Sequence, residues 1–508
     1  MTVADALDRA LDRVAGILAR PLPFLAIMAA YWLLVAVLTA TVFVGASIDT
    51  TEQMMFAQVW DITYDDANPP LFTWLVKTAE LALGPGHAPV LLVKFACLWA
   101  MHGFLHALAR QLQLPRHLVV LVGLSPLLLY YLAWDATYTY THSLLLTACA
   151  AAAAWATARV IARPDLARYA ALGAVLAVGL LAKYNFGVFA LGLVLVLAVH
   201  PALHRRRSGL VTALLCVTPA LVLMVVDANR LASAASGRLA VAEELDLLTV
   251  AGALLPSTLS ALGRLLLPVL PLYALVFWRA LATRPQAPVP TVVPVLGWAL
   301  LASGMVMLAG LLAAHATAVR TPYVFMFVLI PVLLLIRLAG YPRLERAARL
   351  FMVVPLAVML FVPPGLAVKA AVEGASCRRC FLAFDYDALA AGLREAGFTE
   401  GTIVGRLDDQ GRVGGLRPHF PESRLISLRY PHFVPPERPD AGGQCALVWY
   451  TPANAGDPEA AIRGFAASAL GSPPPGTPPQ TIVLPLDGGS RTIAVSALVW
   501  TAAEGTCR

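Results

Sequence analysis

Apolar runs of bilayer-spanning length recur through the first 363 residues, separated by short polar stretches, and then stop. A helix needs about 20 apolar residues to cross the hydrocarbon core, fewer where neighbours thin the membrane. On that measure the pattern predicts eleven spans, at 22–45, 89–109, 117–133, 140–160, 168–183, 185–201, 209–226, 262–278, 290–313, 321–338 and 348–363. The longer polar intervals, 46–88 and 227–261, read as loops on one side of the membrane. After residue 363 the periodicity changes. A helical pattern at 387–395 is followed by strand-like runs at 402–405, 424–428, 445–450, 480–484 and 492–499, with a Pro-rich loop at 471–479. The chain therefore reads as a polytopic α-helical membrane protein over 1–363, carrying a C-terminal α/β domain over 364–508.

Composition fits that reading and narrows it. Of 508 residues, 59% are hydrophobic and 13% charged, about half the charged share of a soluble domain. A soluble enzyme, a disordered chain and a coiled coil are excluded. The net charge of +7 does not point to nucleic acid, because the basic residues sit between spans without interleaved aromatics. They follow the positive-inside rule instead. Arg9, Arg13 and Arg20 precede the first span, and Arg110, Arg116, Arg159, Arg163, Arg168, Arg205, Arg206, Arg207, Arg279, Arg284, Arg337, Arg343, Arg346 and Arg349 fill every second loop. The N-terminus is expected in the cytoplasm, and eleven spans put the C-terminal domain outside. No small-residue cleavage site follows the first run, so it reads as a retained helix. Cys97, Cys149 and Cys216 lie in spans, whereas Cys377, Cys380, Cys445 and Cys507 lie in the outer domain and are expected to form up to two disulfides.

Ionisable groups at membrane depth are functional candidates by default. The chain has four lysines, Lys77, Lys94, Lys183 and Lys369, none of them in the cytoplasmic loops. Lys77 and Lys369 read as headgroup-snorkelling side chains. Lys94, Lys183 and Arg320 fall at the outer boundary, where converging cations suit an anionic group such as a lipid phosphate. Arg320 is the strongest phosphate candidate, because its planar fork binds two oxygens at once. In the first outer loop, 46–88, Asp49 and Glu52 are three residues apart and share a helix face. A carboxylate there suits a general base for a hydroxyl nucleophile. The pair also suits a divalent cation, Mg or Mn, or simply the acidic first turn of a helix.

At these residues the chain resembles the GT-C glycosyltransferases, specifically the bacterial family-39-like group that includes protein O-mannosyltransferases, 4-amino-arabinose lipid A transferases and rhizobial lipid A galacturonosyltransferases. That group carries an Asp-Glu or Asp-x-x-Glu-Gln element after the first span, here Asp49 to Gln53, and a Pro-Pro-Leu-x-x-Trp-Leu element, here Pro69-Pro70-Leu71-Phe72-Thr73-Trp74-Leu75. Lys183-Tyr184-Asn185-Phe186 resembles its Lys-Tyr element, and Arg320-Thr321-Pro322-Tyr323 its Arg-x-x-Tyr element. Gly401-Thr402-Ile403-Val404 and Leu416-Arg417-Pro418-His419-Phe420-Pro421 resemble its periplasmic domain.

The resemblance implies a transferase that takes a sugar from a polyprenyl-phosphate donor and passes it to an envelope glycolipid or glycan. Asp49 would be catalytic base or metal ligand, with Glu52 in support. Arg320, Lys183, Lys94, Tyr184 and Tyr323 would hold the donor phosphate. Two departures stand out. Thr50 replaces the second acid of the Asp-Glu form, and the fourth span opens Tyr138-Thr139-Tyr140-Thr141-His142-Ser143 where many members have an acid. Asp135 or His142 is then left as a metal ligand or an acceptor contact. The competing class, a lipid or solute transporter or flippase, is disfavoured: there is no inverted repeat or matching pair of broken spans, and the polar candidates crowd one face.

Overall fold

The computed structural model describes residues 3–64, 68–201, 207–225, 246–377, 379–407, 412–437, 443–450, 457–486, 491–502 and 507. Arg205, Arg206 and positions 227–245 of the expected outer loop lie outside the described residues. Among those described, eight helices are long and apolar enough to cross a bilayer, or nine if one bent pair counts as a span. Three shorter apolar helices, Leu166–Ala182, Phe186–Val199 and Val269–Ala280, accompany them.

The helices run α1 (Val3–Leu18), α2 (Pro21–Val42), α3 (Ile48–Phe56), α4 (Leu71–Leu83), α5 (His87–Gln111), α6 (Arg116–Leu124), α7 (Ala136–Tyr138), α8 (His142–Ala162), α9 (Leu166–Ala182), α10 (Phe186–Val199) and α11 (Arg207–Val225). After the 226–245 interval come α12 (Leu247–Leu266), α13 (Val269–Ala282), α14 (Val292–Ala313), α15 (Leu329–Arg337), α16 (Glu345–Phe351) and α17 (Val353–Ser376). α8 forms the centre of the bundle. Its run Ala148 to Ala154 is buried and lets α5 and α9 approach closely, as small residues do where no hydrophobic drive separates helix from lipid. The N-terminal helix α1 precedes the first span and packs on α6 and α16, with Arg346 donating to Asp8 at 3.0 Å. This gathers much of the arginine-rich sequence at one end of the bundle.

Four sequence expectations change, the first being that the span expected at 262–278 straddles the break at Leu267 and Pro268 between α12 and α13. The span expected at 117–133 is broken: after α6, a 3-10 turn Ser125–Leu128 gives way to a π turn Tyr131–Asp135 across a 75° bend. Pro126 starts that break, since it lacks a donor and crowds the preceding turn. Positions 247–261 of the expected loop belong to α12, whose Pro256, Ser257, Thr258, Ser260 and Arg264 dilute its hydropathy. Thr258 is satisfied within the helix, donating to the Leu254 carbonyl at 2.9 Å. The last span does not end at 363 but continues through Pro363 and Pro364 to Ser376, as membrane helices tolerate when neighbours serve the freed backbone groups.

The C-terminal module follows the strand and helix sequence expected of it. Helices α18 (Tyr386–Glu395) and α19 (Pro458–Leu470) flank a sheet of β1 (Gly401–Arg406), β2 (Arg424–Ser427), β3 (Gln444–Tyr450), β4 (Gln480–Leu486) and β5 (Arg491–Thr501). The order is β2-β1-β3-β5-β4, parallel among the first three and antiparallel at β5 and β4. Disulfides join Cys377 to Cys380 and Cys445 to Cys507. Arg491 on β5 donates to the Gly374 carbonyl at 2.7 Å, capping the end of α17 and tying the sheet to the last span.

Tyr386 gives the module a pH signature. Burial pushes its hydroxyl up to about 12. A phenol whose pKa rises on folding stabilises the fold fully below its ordinary value of 10, and that contribution disappears as pH climbs from 10 to 12. A tenfold change in proton affinity is worth about 1.4 kcal/mol, so this contribution is on the order of a few kcal/mol. Tyr386→Phe should therefore lose less stability than the parent across that alkaline range in denaturant melts. Equal losses in the two proteins would refute the assignment.

Candidate active site

A cavity of about 650 Å³ opens at the module-facing end of the bundle. One wall is α3. Ser47 starts this helix, its hydroxyl accepting the Thr50 amide at 3.3 Å, which leaves Asp49 in the first turn and Glu52 one turn on. Both carboxylates line the cavity, and Asp49 sits where a helix N-terminus favours negative charge. Glu52 also faces Arg412 of the C-terminal module at 3.6 Å.

A second part of the lining comes from two helix breaks. Between α9 and α10 the polar triplet Lys183-Tyr184-Asn185 interrupts two apolar runs, and all three residues line the cavity. The Lys183 ammonium donates to the Ser143 hydroxyl at 2.6 Å, and the Asn185 amide donates to the Tyr323 carbonyl at 2.9 Å. That second bond ties the break to the loop after α14, where Arg320 precedes a 3-10 helix with Pro322 in its first turn. Arg320, Pro322 and Tyr323 complete the rim. Arg320 is exposed and makes no ion pair among the described residues. Val188 of α10 and Val306, Met307 and Leu311 of α14 form an apolar flank. One cavity thus collects two carboxylates, two cations and an apolar flank.

Most of the sequence candidates therefore meet: Asp49, Glu52, Lys183, Tyr184, Arg320, Tyr323 and His142 share one cavity. His142 opens α8, and its Nε2 lies 3.2 Å from the Gln53 side-chain nitrogen. Thr73 donates to the other end of the same amide at 2.7 Å. Lys94 and Asp135 do not line the cavity. Lys94 is fully buried in α5 without a hydrogen-bond partner among the described residues, and it reaches Asp49 only through its charge. Asp135 accepts from Tyr138 at 2.9 Å outside the cavity wall.

The cavity also contains residues given no site role from sequence. Tyr140 takes a left-handed backbone, φ 58°, a strained conformation for a bulky residue, and packs on Phe325 at 5.2 Å. Gln53 was visible only as the last letter of the Asp49 to Gln53 motif. As for a metal, no group of three or more His, Cys, Asp or Glu side chains converges among the described residues, and Glu52 is shared with a guanidinium.

The dolichyl-phosphate-mannose-protein mannosyltransferase family matches residues 67–228. The chain is 28% identical to the lipopolysaccharide core galacturonosyltransferase RgtA of Rhizobium johnstonii over 48% of each chain, so this match spans about half the length of that relative. It is 25% identical to RgtB of the same organism, over 84% of this chain and 87% of the relative. The structure of ArnT from Cupriavidus metallidurans bound to undecaprenyl phosphate superposes with a TM-score of 0.56 at 12% identity, covering 95% of this chain and 98% of that one. The same ArnT in its apo state gives 0.55. The chain has the fold seen in ArnT, and in sequence it is similar to proteins named as glycosyltransferases. With eight described helices long and apolar enough to cross a bilayer, it is a multi-pass membrane protein.

Proposed function

We propose that this protein transfers a sugar from a polyprenyl-phosphate donor to an envelope glycolipid or glycan on the periplasmic face, by one inverting displacement with Asp49 as base. The observation that carries the reading is the single cavity that collects Asp49, Lys183 and Arg320 beside an apolar flank. Arg320 and Lys183 would hold the phosphate, Tyr184 and Tyr323 would add hydroxyl donors, and the prenyl chain would leave along Val188 and Met307. The acceptor oxygen attacks the anomeric carbon and its proton passes to Asp49. In the same step the bond from the anomeric carbon to the phosphate oxygen breaks, its electron pair leaving on the lipid phosphate. Because that leaving group is already stabilised, holding the reactants in line supplies most of the rate.

ArnT in complex with undecaprenyl phosphate supports the donor class, and the relatives named as lipopolysaccharide core galacturonosyltransferases make a galacturonosyl donor and a lipopolysaccharide core the first pair to offer. The arginine-rich α1 end of the bundle lies away from the cavity, which supports a cytoplasmic N-terminus. The test is incubation of the protein in nanodiscs with undecaprenyl-phosphate-galacturonic acid and lipopolysaccharide core, with the anomeric configuration of the product read by NMR. Transfer with inversion is expected. Transfer with retention would remove the single displacement, and failure with every polyprenyl-phosphate sugar would remove the donor class.

A further inference from the structure

Asp49 stands on a helix that cannot hold itself in place. α3 has nine residues, and isolated helices below about 12–15 residues are marginal in water. Its position must come from tertiary contacts, and a large share of these come from the C-terminal module. Arg417 donates to the Met54 carbonyl at 2.6 Å, one of the carbonyls that a helix end leaves without an internal partner. The same guanidinium binds Glu80 of α4 with both forks, at 2.9 and 2.8 Å. Arg417 and Glu80 are 3% and 7% exposed, so one buried arginine cross-links α3, α4 and the module.

Further contacts act in the same direction. Gly414 lies against the α3 backbone so closely that a Cβ there would overlap the Thr51 carbonyl. The Tyr386 hydroxyl accepts the Arg412 amide at 2.9 Å, and Arg412 itself reaches Glu52 on the cavity wall. Just beyond α3, Gln58 pairs with the free edge of the sheet: its amide donates to the Leu425 carbonyl at 3.0 Å and accepts the Leu425 amide at 2.8 Å. β2 is the outermost strand, so this side chain takes the place of a sixth strand's backbone.

We propose that the C-terminal module is part of the catalytic apparatus: residues 412–417, with Gln58 on β2, clamp α3 and fix where Asp49 stands. Arg417, Glu80 and Gly414 are positioning residues. The proposal rests on Asp49 being the base, and its test separates the two. Two folded variants of the full-length protein in nanodiscs serve. Arg417→Met with Glu80→Leu removes both buried charges together, which spares the fold an uncompensated ion, and Gly414→Ala leaves the ion pair but wedges α3.

For each, hydrogen exchange of amides 48–56, binding of undecaprenyl phosphate, and the split of kcat from KM are measured. Clamping predicts exchange at 48–56 faster by about tenfold with the spans unchanged. It predicts kcat lower by about a hundredfold, as small misplacements cost, with undecaprenyl phosphate affinity held within about twofold. Unchanged exchange in either folded variant overturns the clamp, and so does unchanged kcat with α3 loosened. If the parent transfers no sugar at all, the reading of Asp49 fails by itself, while the exchange measurement still accepts or rejects the clamp.

Discussion

Asp49→Asn is expected to lower sugar transfer by about a thousandfold, the middle of the range that a positioned general base supplies. Asparagine keeps the shape and the hydrogen-bonding reach of the side chain but cannot take the acceptor's proton. The fold should survive, although the buried Lys94 loses the attraction of the Asp49 charge. Ser47, not Asp49, caps α3, and losing one negative charge from a helix first turn costs about 0.3–1 kcal/mol. Undecaprenyl phosphate affinity should also survive, because Lys183 and Arg320 line the cavity from other elements. The measurement is turnover and lipid binding on the same nanodisc preparation. Near-parent turnover would dismiss Asp49 as base, and lost lipid binding would move it to the donor subsite. Glu52→Gln should differ in kind: Glu52 already faces Arg412, so its loss should loosen the module contact more than it slows proton transfer.

What the sequence made legible follows from how local each signal is. Asp49 and Glu52 are three apart on one short helix, and Lys183-Tyr184-Asn185 interrupts two apolar runs, so both could be read from neighbouring positions. Arg320 opens a span and was visible for the same reason. Depth in the membrane was legible for Lys94 but the helix face was not: in α5 it turns into protein rather than toward the cavity. The amide bridge from Thr73 through Gln53 to His142 joins positions 20 and 89 residues apart, and no local pattern reports it. α12 escaped because hydroxyls that bond their own backbone look polar in sequence and apolar in the helix. The motif around Arg417 was seen as resemblance only. Its work, capping a helix more than 360 positions earlier, is set entirely by how the module docks.

Arg320→Ala should weaken undecaprenyl phosphate binding by about ten- to a hundredfold, since hydrogen bonds to charged groups contribute about 1.5–3 kcal/mol. Arg320 is exposed at the rim, so its removal leaves no buried charge unpaired and stability should hold. Lysine at 320 should recover only part of the affinity, because a point charge cannot grip two phosphate oxygens as the planar fork does. Lys183→Met should cost less in binding but disturb the wall, as the Lys183 ammonium also holds Ser143 at 2.6 Å. If phosphate is bound alike in ground and transition states, donor KM rises in Arg320→Ala while kcat holds. If the fork instead tightens on the departing phosphate, kcat falls with kcat/KM. Titration of undecaprenyl phosphate against both variants, followed by steady-state kinetics, separates these cases. An Arg320→Ala protein that binds the lipid normally while Lys183→Met does not would shift the phosphate to the α9–α10 break and leave Arg320 to the sugar or the acceptor.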